Sequence, residues 1–133
     1  MIFVISQSFV FEAAHTLERR VPVEEYEKSV TIHGHTYNAE ISVTGEIGES
    51  GMIEIPISRR KHGPMILDLY VLRKAIQDVK KELDHSFLDD LLGKNKGTME
   101  NLCVFIANHI DKTLPVSSVS VWRQTGDKCV YTL

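Results

Sequence analysis

Two stretches of the chain alternate between apolar and polar residues, and each has histidine at one end. In the first stretch, the alternate residues run from Phe3 to His15, and most of them are apolar. In the second stretch, the alternate residues begin with His33 and His35 and continue through apolar side chains to Val43. Successive side chains of a β-strand point to opposite faces, so each series lies on one face of a strand. The chain is therefore expected to build its core on two long strands.

Three histidines are predicted to meet at one end of this apolar face. An antiparallel pair of strands joined by residues 16–31 brings His15, at the end of the first strand, beside His33 and His35. Three neutral imidazoles with a free fourth position are typical of a catalytic zinc site, whereas a structural site has four protein ligands. The alternative is that they are polar strand-end side chains without a metal, but three buried imidazoles are unfavourable without partners. We also expect Gly34 to let another chain segment approach.

Composition limits the function classes. With 133 residues, of which 43% are hydrophobic, the chain suits one domain, residues 1–133, with its own core. A net charge of −3 and a pI near 6.0 argue against nucleic-acid binding. There is no long apolar run and no leader pattern, which predicts no membrane segment and a cytoplasmic location. Cys103 and Cys129 form no CxxC motif and are expected to be reduced thiols.

The remaining elements follow from capping and periodicity. Residues 2–15 and 32–46 are predicted strands, separated by a polar connection over 16–31. Asp68 is a good N-cap for a helix. An amphipathic stripe follows it, made of Leu69, Leu72, Ile76, Val79 and Leu83. Thr98 is expected to cap a second helix.

The last part of the chain predicts a hairpin. Residues 117–124 alternate as a strand, the residues from Thr125 to Lys128 suit a tight turn, and residues 128–133 pair back. The order ββααββ predicts an α+β fold, with two helices on one face of an antiparallel four-stranded sheet. Such a short sheet leaves edges that oligomerisation could cover. Before the first helix, the basic run from Arg59 to His62 could attract a phosphate, although such runs on loops are usually solvated.

Five short motifs occur in an order that resembles one family over nearly the whole chain, residues 3–133. The chain resembles the 6-pyruvoyl-tetrahydropterin synthase / 6-carboxytetrahydropterin synthase family. A histidine followed by His-Gly-His and a downstream Asp-His is specific as a set, whereas any one piece alone would be weak. The motifs are Phe11-Glu12-Ala13-Ala14-His15, His33-Gly34-His35-Thr36-Tyr37, Ile66-Leu67-Asp68-Leu69, Leu83-Asp84-His85 and Thr98-Met99-Glu100-Asn101.

The resemblance implies a tunnelling fold assembled as trimers that stack into hexamers, with 7,8-dihydroneopterin triphosphate as substrate. It implies zinc on the three histidines, where the metal would bind the side-chain hydroxyls of the pterin and lower their pKa. It further implies proton transfer by His85, with Asp84 orienting it. A structural reading of this pair is a helix C-terminal cap beside a surface polar group. Thr98, Gln124 and Thr125 fall at substrate-binding positions.

The chain departs from the family pattern at two positions. Ser29 stands where the family usually has a cysteine, and a serine hydroxyl is not a general base without a base of its own. Glu27 or Glu25 could supply an acid instead, although an ordinary exposed role is the simpler expectation for each. Gln124 stands where the family normally has a glutamate that binds the pterin edge. A glutamine amide would place a donor against a donor there.

Three functions follow from the resemblance and the departures. The first is a zinc-dependent lyase that forms 6-carboxytetrahydropterin, an early queuosine or deazapurine step. The second keeps the enzyme class but changes the outcome, to 6-pyruvoyl-tetrahydropterin synthase activity or to an aldolase-like cleavage that forms 6-hydroxymethyl-dihydropterin. The third is a metal-retaining binding protein that has lost catalysis, which Ser29 and Gln124 together motivate. Three imidazoles would also hold iron or nickel.

Overall fold

A computed structural model describes residues 1–19, 21–59 and 66–133. Helices are interspersed among the strands. In order, the elements are β1 (Ile2–His15), α1 (Val23–Val30), β2 (His33–Glu46), α2 (Leu69–Leu83), β3 (Ser86–Phe87), α3 (Leu88–Leu92), α4 (Met99–His109), β4 (Val116–Trp122) and β5 (Lys128–Thr132). The long connection between β2 and α2 contains a 3-10 turn at Ile57–Arg59. Part of the basic run singled out in the sequence, residues 60–62, lies outside the described residues.

β1 and β2 pair antiparallel in one unbroken register, from Ile2 opposite Glu46 to His15 opposite His33. The sheet order is β3-β1-β2-β4-β5, and β4 pairs antiparallel with both β2 and β5. The four predicted strands are therefore confirmed, but the four-stranded antiparallel sheet is wrong in detail. The two-residue β3 pairs parallel to the end of β1 and makes the sheet mixed. A strand of two residues is too short to show the alternation by which strands are recognised in a sequence.

The two predicted helices are confirmed with their caps. The Asp68 carboxylate accepts a hydrogen bond from the Tyr70 N–H at 2.7 Å, and the Thr98 hydroxyl accepts one from the Asn101 N–H at 3.2 Å. The polar connection predicted over 16–31 contains a helix, α1, that the sequence analysis did not predict. Ser29 is the buried residue of α1, so the sequence of this helix shows no apolar stripe. The five-residue α3 is also additional to the prediction.

The core lies between the helices and one face of the sheet. It joins the alternate residues of β1 and β2 to the apolar sides of α2 and α4, and Phe11, Ile41, Leu72 and Leu102 are among its members. Cys103 is buried and Cys129 half-buried, and neither forms a disulfide in the structure. No helix in the described part of the chain combines the length and the apolar character needed to cross a membrane.

Candidate active site

The register of β1 and β2 brings three imidazoles together. His15 lies opposite His33, and His35 lies opposite Ala13, so the three side chains share the helix-facing side of the sheet. One ring nitrogen from each histidine lies within 4.8 Å of the others. His15 is 4% exposed, and His33 and His35 are half-buried. The predicted convergence of these residues is therefore confirmed, and we call them the histidine triad.

Hydrogen bonds to backbone carbonyls fix the orientation of two rings. The Nδ1 of His15 lies 2.7 Å from the Gly97 carbonyl, and the Nδ1 of His33 lies 2.8 Å from the Thr31 carbonyl. A carbonyl only accepts, so both Nδ1 atoms carry a hydrogen, and the Nε2 of each ring presents a lone pair in its neutral form. Metal-binding histidines typically have a carbonyl or carboxylate on their other nitrogen in this way.

The two Nε2 atoms face each other at 2.9 Å. When both rings are neutral, neither Nε2 can donate to the other, and a cation between or beside the two lone pairs makes the arrangement favourable. This donor set fits a divalent metal ion, and imidazoles suit zinc, iron and nickel alike. The fit supports a metal site without selecting one metal.

The third ring is held by an arginine that the sequence analysis did not single out. Arg123 Nη1 lies 3.2 Å from His35 Nε2 and donates to it, which leaves this nitrogen unprotonated. Burial, followed by the Arg123 charge, lowers the pKa of His35 to about 4, and burial also lowers the pKa of His15. Both imidazoles are therefore neutral near pH 7, the form that binds metals. Arg123 continues the inward series of β4 after Val119 and Val121, a signal that could have identified it.

Two cavities flank the triad, and both are lined in part by His15, Leu17 and Arg123. The first, of about 230 Å³, also contains Arg19, Lys28 and Ser29, and we call it the cationic cavity. The second, of about 220 Å³, also contains Tyr37, Thr98 and Glu100, and we call it the Glu100 cavity. The triad thus lies between a positively charged space and a space with mixed polar groups.

The Glu100 cavity contains unpaired polar atoms. The Tyr37 hydroxyl and the Nε of Arg123 are buried and, among the described residues, have no hydrogen-bond partner. Burial raises the pKa of Tyr37 to about 12, so its hydroxyl keeps its proton. The Glu100 carboxylate adds acceptors, so the cavity offers donors and acceptors to one flat polar heterocycle. The sequence analysis missed this role of Glu100 because a glutamate in a first helical turn is common for its dipole interaction.

The structure places Ser29 at the triad but does not activate it. Ser29 is 6% exposed and lines the cationic cavity, and its hydroxyl lies 3.2 Å from the Glu25 carbonyl and 3.1 Å from the Tyr26 carbonyl. The hydroxyl donates to its own helix, and none of the carboxylates and imidazoles in the described part of the chain is hydrogen-bonded to it. Glu27 is exposed on α1 and lines neither cavity. The Glu25 carboxylate pairs instead with Arg19 and Lys28.

Asp84 and His85 lie together at the β3 edge of the sheet, beside Glu12 of β1. The Glu12 N–H donates to Asp84 at 2.9 Å, the His85 N–H donates to the Glu12 carbonyl at 2.6 Å, and His85 Nδ1 lies 3.2 Å from Asp84. The Glu12 N–H, more than the His85 charge, lowers the pKa of Asp84. His85 has a left-handed backbone, φ +58°, which these bonds hold in place. His85 lines a groove of about 420 Å³, together with Thr36 and with His35 of the triad.

Gln124 and Thr125 lie outside both cavities as well. Gln124 follows Arg123, and the alternation along the strand turns the arginine, not the glutamine, toward the triad. Both residues are exposed, and the Thr125 hydroxyl donates to the Asp127 carboxylate at 3.1 Å. Thr98 does line the Glu100 cavity, where its hydroxyl serves as the α4 cap. The expected substrate contacts of Gln124 and Thr125 stay predictions.

Comparison with known proteins agrees with the motifs. The family profile described as 6-pyruvoyl tetrahydropterin synthase matches residues 4–133. The dihydroneopterin monophosphate aldolase of Pyrococcus furiosus is 34% identical over 117 residues, covering 85% of this chain and 82% of the relative. The 6-carboxy-5,6,7,8-tetrahydropterin synthase of Haemophilus influenzae is 24% identical, covering 98% of this chain and 99% of the relative.

A solved structure shows the same fold. The 6-pyruvoyl tetrahydropterin synthase of Caenorhabditis elegans superposes with a TM-score of 0.71 at 19% identity, covering 100% of this chain and 96% of that chain. The relatives are enzymes named for pterin substrates or products, and the profile matches nearly every residue described above. The chain belongs to the 6-pyruvoyl tetrahydropterin synthase family.

Proposed function

We propose that the protein is a metal-dependent lyase that acts on the hydroxylated side chain of a phosphorylated 7,8-dihydroneopterin by an aldolase-like cleavage. The observation that carries this proposal is the histidine triad, whose unprotonated ring nitrogens lie between two polar cavities. The 34% identity to an aldolase that is named for dihydroneopterin monophosphate supports this choice within the family. The free thiols Cys103 and Cys129 support a cytoplasmic location.

The proposed cleavage breaks the carbon–carbon bond between the first and second side-chain carbons. The hydroxyl on the second carbon loses its proton and becomes an aldehyde, and the electrons pass to the first carbon and the adjoining ring C=N bond. Protonation of the first carbon then gives 6-hydroxymethyl-7,8-dihydropterin. A zinc ion or similar metal on the triad would supply Lewis acidity that lowers the pKa of that hydroxyl.

The residues of the chain position the substrate in this scheme. Glu100 accepts hydrogen bonds from the N–H and NH₂ groups of the pterin edge, a role for which the amide of Gln124 is less suited. The Tyr37 hydroxyl, which among the described residues lacks a partner, donates to a ring acceptor. The Gly97 and Thr31 carbonyls keep His15 and His33 in the required tautomer. This division places the ring in the Glu100 cavity.

Proton transfer involves residues outside the histidine triad. Ser29 donates to backbone carbonyls and, among the described residues, makes no hydrogen bond to a base, which favours a cleavage over a reaction that needs several proton abstractions from carbon. We retain His85 as the proton-transfer residue, with Asp84 orienting it. Because His85 is exposed at the edge of the sheet and the pair lines neither the cationic cavity nor the Glu100 cavity, we propose that it acts at the site of a neighbouring copy in an oligomer.

A second function has its own support. The 6-carboxytetrahydropterin synthase reaction on 7,8-dihydroneopterin triphosphate is favoured by the match to the H. influenzae enzyme along nearly the whole of both chains. It would require a group other than Ser29 to abstract a proton from carbon, and Glu27 would have to move from its exposed position to reach the triad. The two reactions give products of different mass.

The test is product identification with metal-loaded protein. The protein is incubated separately with 7,8-dihydroneopterin monophosphate and triphosphate, and the products are separated and weighed by mass spectrometry. We expect 6-hydroxymethyl-7,8-dihydropterin, whereas 6-carboxytetrahydropterin would assign the second function. If neither compound is consumed, both enzyme functions are contradicted and a metal-retaining binding protein is the remaining explanation.

A variant links the reaction to the triad. His33→Ala should remove the bound metal, measured by elemental analysis, together with turnover, because two imidazoles alone hold a divalent ion weakly. His109→Ala is the matched control, since His109 is an exposed histidine of α4 that stacks on Phe105 and bonds its carbonyl. Full turnover by a chelated sample would contradict metal dependence.

A further inference from the structure

The cationic cavity contains three positive side chains that the proposed bond cleavage does not use. Arg19 follows β1, Lys28 belongs to α1 and Arg123 follows β4, so three separate parts of the chain converge on one space beside the triad. Like charges brought together in this way repel one another and raise the free energy of the folded state unless anions lie near them. Negative charge close to these three side chains would therefore stabilise the fold.

The carboxylates of the chain neutralise this cavity only in part. Glu25 serves two cations at once, with its oxygens 3.5 Å from Arg19 Nη2 and 3.5 Å from Lys28 Nζ. The Asp127 carboxylate lies 3.6 Å from Arg123 Nη2. All three contacts are longer than a charge-assisted hydrogen bond, which is about 2.7–2.9 Å. Among the described residues, three cations therefore line the cavity and two carboxylates approach them.

Unpaired donors mark the same cavity. The Nε atoms of Arg19 and Arg123 are buried and, within the described residues, have no hydrogen-bond partner. A buried guanidinium N–H that has lost water and gained no acceptor is unfavourable, so an acceptor in the cavity would stabilise both arginines. The planar guanidinium forks match the oxygens of phosphate, and phosphate carries the double negative charge that the cavity lacks.

We infer that the cationic cavity binds a phosphate ester of the substrate through Arg19, Lys28 and Arg123. This inference rests on the proposed function, since it takes the ligand to be a dihydropterin whose side chain bears the phosphate. The order of the cavities matches the order of the groups in such a substrate. The Glu100 cavity holds the ring, the triad faces the side-chain hydroxyls, and the cationic cavity lies on the far side of the triad, where the phosphate would be. The two cavities share a wall of His15 and Arg123, so one extended ligand can occupy both.

The experiment compares two stable, fluorescent pterins that the enzyme need not turn over. Dissociation constants of neopterin and neopterin monophosphate are measured by fluorescence with metal-loaded wild-type protein, and their ratio is the quantity of interest. We expect the monophosphate to bind at least about tenfold tighter, because hydrogen bonds to charged groups contribute substantially to affinity. Neopterin triphosphate is the third ligand. If it matches the monophosphate, the site takes one phosphate, and a further gain indicates that the triphosphate chain is bound.

Variants assign the effect to the cavity. Arg19→Gln should reduce the preference for the monophosphate to about threefold or less, and Arg19→Lys, which keeps the charge, should restore part of it. Arg73→Gln makes the same change at an exposed arginine of α2 outside the cavity and should leave the wild-type ratio in place. Circular dichroism confirms that each variant is folded.

The outcomes separate this inference from the proposed function. If neopterin and its phosphates bind equally well, the inference is overturned, but binding of the pterin ring is still supported. An unchanged ratio in Arg19→Gln would likewise overturn the assignment to this cavity. If none of the three pterins binds and neither phosphorylated substrate is consumed, the proposed function fails, and the phosphate inference fails with it.

Discussion

At the scale of single residues, the histidine triad depends on a glycine that does not belong to it. The Gly97 carbonyl accepts from His15, and a Cβ at position 97 would lie 3.1 Å from both the Cβ and the Nδ1 of His15, and 3.2 Å from the Leu88 Cβ. Gly34, between His33 and His35, was expected to admit a close chain segment. Within one chain that expectation is wrong, because a Cβ there would lie 3.6 Å from the Ala13 carbonyl, an ordinary contact.

These two glycines give a matched test. Gly97→Ala should push the His15 ring out of position, lowering metal affinity at least about tenfold, as losses of groups that orient metal ligands typically do. Gly34→Ala should retain the metal at the wild-type level. Metal affinity is measured by competition with a chelator, and thermal unfolding is followed in parallel. Equal affinities in the two variants would show that Gly97 does not set the position of His15.

At the scale of elements, helix caps were predicted well and short elements were not. Asp68 and Thr98 are caps in the structure because a side-chain oxygen before an amphipathic stripe satisfies free N–H groups of the first turn. α1 was missed because it packs a serine and not an apolar stripe against the protein. β3 and α3 were missed because they are shorter than the periods by which strands and helices are recognised.

The Asp68 cap can be tested separately from the site. Asp68→Ala should lower the free energy of unfolding by about 1 kcal/mol, since one N–H of α2 loses its partner. Asp68→Asn keeps an oxygen at the cap and should lose only a small part of that amount. Urea unfolding followed by circular dichroism gives the values, and metal content should equal the wild-type value in both variants. A full loss in Asp68→Asn would mean that charge, and not capping, stabilises the helix.

At the scale of the whole molecule, the sheet has unpaired edges. β3 covers only Ala13 and Ala14 of β1, and β5 is the last strand on the other side. Unpaired strand edges favour association with another chain. The face away from the helices carries hydroxyls, such as those of Ser6 and Ser42 at 2.7 Å. We propose that copies join edge to edge as trimers that stack into hexamers, the tunnelling arrangement, with this polar face inside.

This assembly predicts a measurable mass and a variant that reduces it. Light scattering of the wild-type protein should give the mass of a trimer or hexamer of the 15.1 kDa chain. Val130→Lys places a charge on β5, where Val130 is 55% exposed, and should shift the mass toward the monomer. Tyr70→Lys, at a 72% exposed position of α2, is the control and should keep the wild-type mass. A monomeric wild type would contradict the assembly and the proposed role of His85 in a neighbouring site.

The sequence by itself determined the two long strands, the two capped helices and the convergence of the triad. It could do so because strand periodicity fixes which residues share a face, and one antiparallel register then fixes which residues meet. Only the tertiary structure decided that Arg123 contacts His35, that Glu100 and Tyr37 share a cavity, and that Arg19 and Lys28 converge with Arg123. Those contacts join residues far apart in the chain through the packing of helices and loops, which no local period records.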